Sequence, residues 1–113
     1  MQYCVLLQLK IEENQWIHAG ETHVVPWDFR DLIAASSGWI ILNEENFGPA
    51  NDFIPRLQKG VLELSQNPNS YKRFEVRHGF GTIQDTLLFY EGLLSDCKDH
   101  PLFDLYGYIG QNE

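Results

Sequence analysis

Two stretches of this sequence carry residue types that could do chemistry. Glu44 and Glu45 are adjacent carboxylates in a predicted loop, where one could serve as a general acid and the other as a general base. The turn Gly79-Phe80-Gly81-Thr82 leads into a predicted helix, whose free N–H groups and dipole could hold a phosphate. Neither pattern is complete, because adjacent carboxylates need not converge and the turn lacks both the lysine of a P-loop and the third glycine of a dinucleotide fingerprint. A solvated charge pair and a simple helix start are therefore the preferred interpretations.

Metal and nucleophile chemistry also lack their required spacings. No two of the four histidines stand four apart on a helix, and neither cysteine belongs to a metal-binding or redox motif. These residues are His18, His23, His78, His100, Cys4 and Cys97. The sequence also has no G-x-S-x-G nucleophile elbow. We expect no catalytic residue, no bound metal and no cofactor, and a protein that is not an enzyme.

The charge balance indicates which partners are favoured. Sixteen acidic and eight basic side chains give a formal net charge of -8, and the resulting field repels phosphate backbones. Nucleic acid is therefore not expected to bind. A basic protein surface suits this charge, although acidity that serves only solubility is an equally ordinary property of proteins.

The elements that must position these residues are organised around a long helix near the C-terminus. Thr82 is placed to cap it and Pro101 prevents its continuation, so the helix is predicted over residues 83–97. Spacings of four and three place one apolar stripe toward a sheet, formed by Ile83, Leu87, Tyr90, Leu94 and Cys97.

The first half of the chain predicts a hairpin, a short helix and a buried strand. Residues 2–11 and 16–25 have the alternation of two strands, with a bulge or kink near Gly20. A helix follows Pro26 and ends at Gly38, which suits a left-handed C-cap. The apolar run 39–42 predicts an interior strand, and residues 43–50 predict a loop.

The second half adds a helix and two strands to the long helix. A helix is predicted from Asn51 or Asp52, with Pro55 in its first turn and Gly60 close to another backbone. Residues 71–78 alternate like a half-exposed strand, with Phe74 and Val76 inward, and residues 102–109 predict a closing strand. The expected fold is a single α+β domain over residues 1–113, in which about three helices cover one mixed or antiparallel sheet of about five strands.

Targeting signals are not expected in this sequence. The N-terminal MQYCVLLQLK lacks a basic region followed by an apolar run and a small-residue cleavage site, as a signal peptide would have. No run reaches the roughly 20 apolar residues of a membrane span. We therefore expect a soluble, cytoplasmic protein that does not interact with membranes.

One segment resembles a known class of proteins. The stretch GFGTIQDTLLFYEGLLSDCKDHP, with its glycine-threonine start and L-L-x-x-C-x-x-x-P end, is similar to segments of small bacterial proteins that resemble immunity proteins of polymorphic or contact-dependent toxin systems. The resemblance covers about a fifth of the chain and includes no catalytic motif. It implies a small, acidic, cytoplasmic α+β protein that binds and masks one cognate toxin domain.

This hypothesis selects a candidate partner-binding surface. Glu44, Glu45 and Asp52 would face a basic toxin, and Trp27 or Phe47 beside the same loop would supply a desolvated anchor. Two alternatives remain open at this point. One is a small-ligand-binding protein or enzyme that uses the turn at residues 79–81, and the other is a non-catalytic accessory subunit of a larger assembly.

Overall fold

The computed structural model describes residues 1–40 and 46–110, and within them the chain forms the predicted α+β fold. The described residues contain four strands where about five are predicted: β1 (Gln2–Glu12), β2 (Gln15–Pro26), β3 (Asn46–Pro49) and β4 (Asp104–Gly110). The same part of the chain contains four helices where about three are predicted: α1 (Arg30–Ser37), α2 (Ala50–Gln66), α3 (Lys72–His78) and α4 (Thr82–Asp99). Short 3-10 helices at Trp27–Phe29 and Pro68–Tyr71 precede α1 and α3. The strands form one antiparallel sheet in the order β2-β1-β4-β3.

The predicted hairpin and its bulge are confirmed. Asn14 supplies the positive φ, 77°, that the tight β1–β2 turn requires. Further along, Val5 pairs with His23 whereas Leu7 pairs with Ala19, so residues 20–22 of β2 stand opposite a single residue of β1. Gly20, with φ of 70°, lies in this bulge and allows the strand to bend there.

The core lies between one face of the sheet and the helices. The odd-numbered residues Tyr3, Val5 and Leu7 of β1 point into it, beside Leu105 of β4. Trp39 is the largest of the fully buried side chains, and its ring contacts those of Tyr3, Phe53 and Phe89 at centroid distances of 6.1, 5.4 and 6.4 Å. The predicted left-handed cap at Gly38, with φ of 78°, ends α1 and turns this tryptophan into the core.

The long helix α4 is present but is rotated from its predicted orientation. Ile83, Tyr90 and Cys97 of the predicted stripe are buried, as predicted, whereas Leu87 and Leu94 are only partly buried. The buried face is centred instead on Thr86, Phe89 and Leu93. The predicted cap is also wrong, because Gly81 is the N-cap residue and the hydroxyl of Thr82 donates to the carbonyl oxygen of Gly79 at 2.7 Å. No helix in the described residues is long and apolar enough to cross a membrane.

The strand predicted over residues 71–78 is wrong, since this segment forms α3. Tyr71 and Phe74 are buried and stand three residues apart, which is a helical spacing. Val76, predicted to point inward, is 91% exposed. The two-residue alternation was accidental: a helix needs only one short buried stripe here, because the segment packs on α4 at one edge of the molecule.

The strand predicted over residues 39–42 is not formed by the part that the structure describes. Trp39 and Ile40 lie outside any strand, and Ile40 is 67% exposed, so the run is not buried on both faces. Residues 41 and 42 lie outside the described residues. The loop predicted over residues 43–50 is corrected at Asn46–Pro49, which forms β3 by pairing with β4.

Candidate partner-binding surface

The predicted surface residues do not all meet at one place. Glu44 and Glu45 lie outside the described residues, and Phe47 is described only by its backbone, which pairs with Tyr106 in the sheet. Asp52 is exposed in the first turn of α2. Asp52 itself lines a cleft of about 310 Å³ at the start of α2, together with Trp39, Ile40, Gly48, Pro49, Phe53 and Arg56.

Trp27 is partly buried and is held from two sides. Its ring lies 6.2 Å from that of Tyr3, and the guanidinium of Arg30 lies over it at 5.2 Å. Arg30 also donates a hydrogen bond to the Trp27 carbonyl oxygen at 3.2 Å. The indole is therefore fixed in place before any partner arrives, and its remaining exposed edge belongs to a rigid surface.

Trp27 and Asp52 stand toward opposite ends of the sheet. Trp27 follows Pro26, which pairs with Gln2 at the start of β1. Asp52 follows Pro49, which pairs with the same Asp104 that faces Gln8 of β1. Six residues separate the two positions along β1, or about 20 Å at a strand rise of about 3.3 Å per residue. A partner that contacts both must cover much of this side of the molecule.

The charged groups are distributed so that most carboxylates are left to solvent. Within residues 1–40 and 46–110, one carboxylate forms an ion pair with an arginine or lysine: Asp31, 3.2 Å from Arg77 at an exposed site. Several cations lie over aromatic rings instead, as Lys10 does over Trp16, Arg30 over Trp27, Arg56 over Phe53 and Arg73 over Phe74. The excess negative charge of the chain is therefore not neutralised by local pairing.

One polar cluster was not found by sequence reasoning. The carboxylate of Asp96 on α4 lies 2.5 Å from His23 Nε2 and accepts a hydrogen bond from the backbone N–H of Glu21 at 3.2 Å. Gly20 and Gly92 leave room for this contact, because a Cβ at Gly20 would overlap the Asp96 carboxylate and a Cβ at Gly92 would crowd the His23 ring. The residues are more than 70 positions apart in the chain, so only the predicted bulge at Gly20 signals that an unusual contact occurs there.

Two buried titratable groups, Cys97 and Tyr90, are held in their neutral forms. Burial, with a smaller effect from neighbouring Asp96, raises the pKa of the Cys97 thiol to about 12. Burial likewise raises the pKa of Tyr90 to about 12, against the opposing effect of its hydrogen bond to Ser36. Cys97 is therefore not an activated nucleophile. Within the described residues, no three His, Cys, Asp or Glu side chains are grouped so that they could hold a metal ion.

The turn at residues 79–81 presents an aromatic ring to solvent. Gly79 and Gly81 both have positive φ, 107° and 92°, and the intervening Phe80 is fully exposed. The hydroxyl of Thr82 points back to the turn and donates a hydrogen bond to the carbonyl oxygen of Gly79. The geometry here is that of a link between α3 and α4.

The sheet has a second face, which turns away from the helices and which we call the outer face. Its centre consists of Cys4 and Leu6 of β1, Val24 of β2, and Tyr106 and Tyr108 of β4, which strand pairing places side by side. No described helix covers it, and the molecule measures only 19 Å in its thinnest direction, about one sheet and one helix layer. Val24 is 46% exposed, and the two tyrosine rings stack at 5.4 Å.

Comparison with known proteins does not assign this chain to a class. No family model, no curated protein and no solved structure matches it.

Proposed function

We propose that this chain is an immunity protein that binds a cognate bacterial toxin domain in the cytoplasm and masks its active surface without catalysis. The observation that carries the proposal is the distribution of charge. Lysine and arginine side chains lie over aromatic rings, while the acidic side chains, apart from Asp31, are not paired with them in the described residues. The net charge of -8 can then attract a basic partner, because few of the carboxylates are neutralised by a neighbouring lysine or arginine.

Such a charge suits a toxin that acts on a phosphate-containing substrate, for example a nuclease. A nuclease must attract phosphate, so its active surface is basic, and an acidic inhibitor gains association rate by carrying the opposite charge to it. Salt weakens this attraction, because the screening length for charges is only about 8 Å at physiological ionic strength. In this proposal Glu44, Glu45 and Asp52 provide charge, while Trp27 and Phe47 provide the desolvated contact that charge alone does not.

The partner with which to test the proposal is a toxin domain encoded by a gene next to this one, which the proposal requires to exist. Co-expression is expected to restore the growth of cells that produce the toxin domain, and the purified proteins are expected to form a complex that lacks toxin activity. Association should slow as the salt concentration rises. The proposal fails if no neighbouring gene encodes a toxin, or if the encoded toxin neither binds nor is inhibited.

A pair of double variants tests the surface. Glu44→Lys with Glu45→Lys is expected to slow association about tenfold or more and to flatten its salt dependence. Asp85→Lys with Glu91→Lys changes the net charge equally on the exposed side of α4 and is the matched control. If both double variants slow association equally, the effect comes only from the net charge of the protein. If the Glu44→Lys, Glu45→Lys variant does not slow association, these two residues are not part of the toxin-binding surface.

A further inference from the structure

We propose that the outer face is the interface of a symmetric dimer, in which a second copy of this chain packs its own outer face against the first. The inference does not depend on the proposed toxin-binding role. It rests on three properties of this face: its apolar and aromatic character, its near neutrality, and its size.

The outer face carries apolar and aromatic side chains that are buried to different degrees. Val24 is 46% exposed at one side of the face. Tyr106 and Tyr108, stacked at 5.4 Å, are partly buried and form a ridge along β4, and Leu6 and Cys4 of the neighbouring strand are buried. Burial of the Tyr108 phenol, with Cys4 beside it, raises its pKa, so this ring already lies partly out of water. Tyrosine gives large contact area at low cost in side-chain entropy, which suits an interface.

The outer face is close to neutral although the chain is strongly acidic. Where β1 pairs with β2 and β4, short of the hairpin turn, two side chains on this face carry a formal charge. They are Lys10 and Asp104, one of each sign. Two copies can therefore bring their outer faces together without opposing carboxylates, which would not hold for the helical side of the molecule.

The size of the face fits the lower range of stable dimers. The strands β1 and β2 are 11 and 12 residues long, or about 36 Å at about 3.3 Å per residue. Neighbouring strands are about 4.8 Å apart, so β2, β1, β4 and β3 give a width of about 15 to 19 Å. Because β4 and β3 have only 7 and 4 residues, the plane covers about 540 Å² at these spacings. The pleat and the tyrosine ridge increase this area toward the roughly 600 Å² per partner at which specific interfaces begin.

The unequal heights of the side chains on this face also favour a two-fold arrangement. The tyrosine ridge stands over β4, whereas β1 and β2 present the smaller side chains of Cys4 and Val24. A two-fold axis in the plane between two such faces places the ridge of each copy on the lower strip of the other. Sheets stacked in this way lie about 10 Å apart.

Sedimentation equilibrium of the purified chain in reducing buffer tests the inference directly. We expect a species of twice the 13.1 kDa chain mass at concentrations of about 10 to 100 μM. We also expect the dimer to strengthen between 0.05 and 0.5 M NaCl, because salt screens the repulsion between two chains of charge -8. Toxin association should weaken over the same range, so the two proposals can fail separately. A chain that remains monomeric up to about 200 μM at 0.5 M NaCl overturns the dimer.

Charge substitutions locate the interface. Val24→Glu is expected to raise the dimer dissociation constant about tenfold or more, because it would bury a carboxylate without a partner. His18→Glu, at an exposed position on the same face, should act in the same direction and guards against a folding defect in the first variant. Leu62→Glu on α2 makes the same charge change at a 50% exposed position and should leave the dimer intact. A dimer that Leu62→Glu weakens and the two outer-face variants do not would overturn the assignment.

Discussion

Gly60 of α2 lies directly against the ring of Tyr90 of α4. A methyl group built on Gly60 would overlap the edge of that ring, so the absence of a side chain is what allows the two helices to approach. The ring cannot move aside easily, because Tyr90 is fully buried and its hydroxyl is bonded to Ser36 Oγ at 2.7 Å and the Ile33 carbonyl oxygen at 3.2 Å. One contact therefore fixes α2, α4 and α1 relative to one another.

Gly60→Ala is expected to lower the free energy of unfolding by about 1 to 3 kcal/mol, the usual cost of overpacking. Helix propensity alone predicts the opposite sign, a gain of about 1 kcal/mol for alanine over glycine. Urea unfolding decides between them, with Lys59→Ala at the exposed neighbouring position as the control. A stabilised Gly60→Ala variant would show that the helices are not in close contact here.

Leu93→Ala is expected to cost about 2 to 5 kcal/mol, because this side chain is fully buried on α4. Leu94→Ala should cost less, since Leu94 is only partly buried, and Leu88→Ala at a 58% exposed position should cost least. The order of the three losses, measured by chemical unfolding, reports which side of the helix faces the core. A larger loss at Leu94 than at Leu93 would restore the orientation predicted from the apolar stripe.

Asp96→Ala is expected to destabilise the protein by about 1.5 to 3 kcal/mol, the range for hydrogen bonds to a charged group. The variant leaves His23 Nε2 and the Glu21 N–H without the acceptor that both contact. Hydrogen exchange should then be faster at residues 20–23 of β2, while Asp99→Ala at an exposed position of the same helix serves as control. Unchanged protection of the bulge would show that Asp96 does not hold it.

The free energy of unfolding is expected to fall as the pH rises from about 9 to about 12. Cys97 and Tyr90 have folded pKa values of about 12, raised from the ordinary 9.0 and 10.0 mainly by burial. A raised folded pKa means that the unfolded chain loses its protons first, so the stabilisation is complete below pH 9 and disappears through pH 12. Cys97→Ala should remove the part of this decline that begins near pH 9, and Tyr90→Phe the part that begins near pH 10. Parallel curves for both variants and the wild type would contradict this account.

The sequence predicted best where a local signal and the tertiary contact agree. The bulge glycine at position 20 and the left-handed cap at Gly38 are predicted correctly, because each requires a backbone conformation that glycine adopts most readily. The close approach predicted at Gly60 is present, but to the side chain of Tyr90 and not to another backbone. Prediction of residues 71–78 failed for the opposite reason. Seven or eight residues with two buried rings fit a strand and a helix equally, and only packing on α4 decides between them.

The orientation of α4 shows a second limit. Almost every turn of this helix has apolar residues on several sides, so the stripe through Leu87 and Leu94 and the stripe through Leu93 are both reasonable. Thr86 lies at the centre of the buried face, although threonine is polar and does not indicate burial from the sequence. Its burial is tolerated because its hydroxyl donates a hydrogen bond to the Thr82 carbonyl oxygen at 2.8 Å, within the same helix. Trp27 and Asp52 are chosen for the candidate surface because of their residue types. The distance between them could not be predicted, because it depends on the order of the strands in the sheet.

The bulge at Gly20 also has a consequence for contacts between molecules. β2 lies at the end of the sheet order, so one side of its backbone is not paired within the described residues. A straight strand of 12 residues in that position would be a template for strands of other chains. The bulge at residues 20–22, which is held by Asp96, divides β2 into two short segments. The pairing register with β1 changes between these two segments. The contact between Asp96 and the bulge therefore removes, at this edge of the sheet, the long straight strand to which strands of other chains could add.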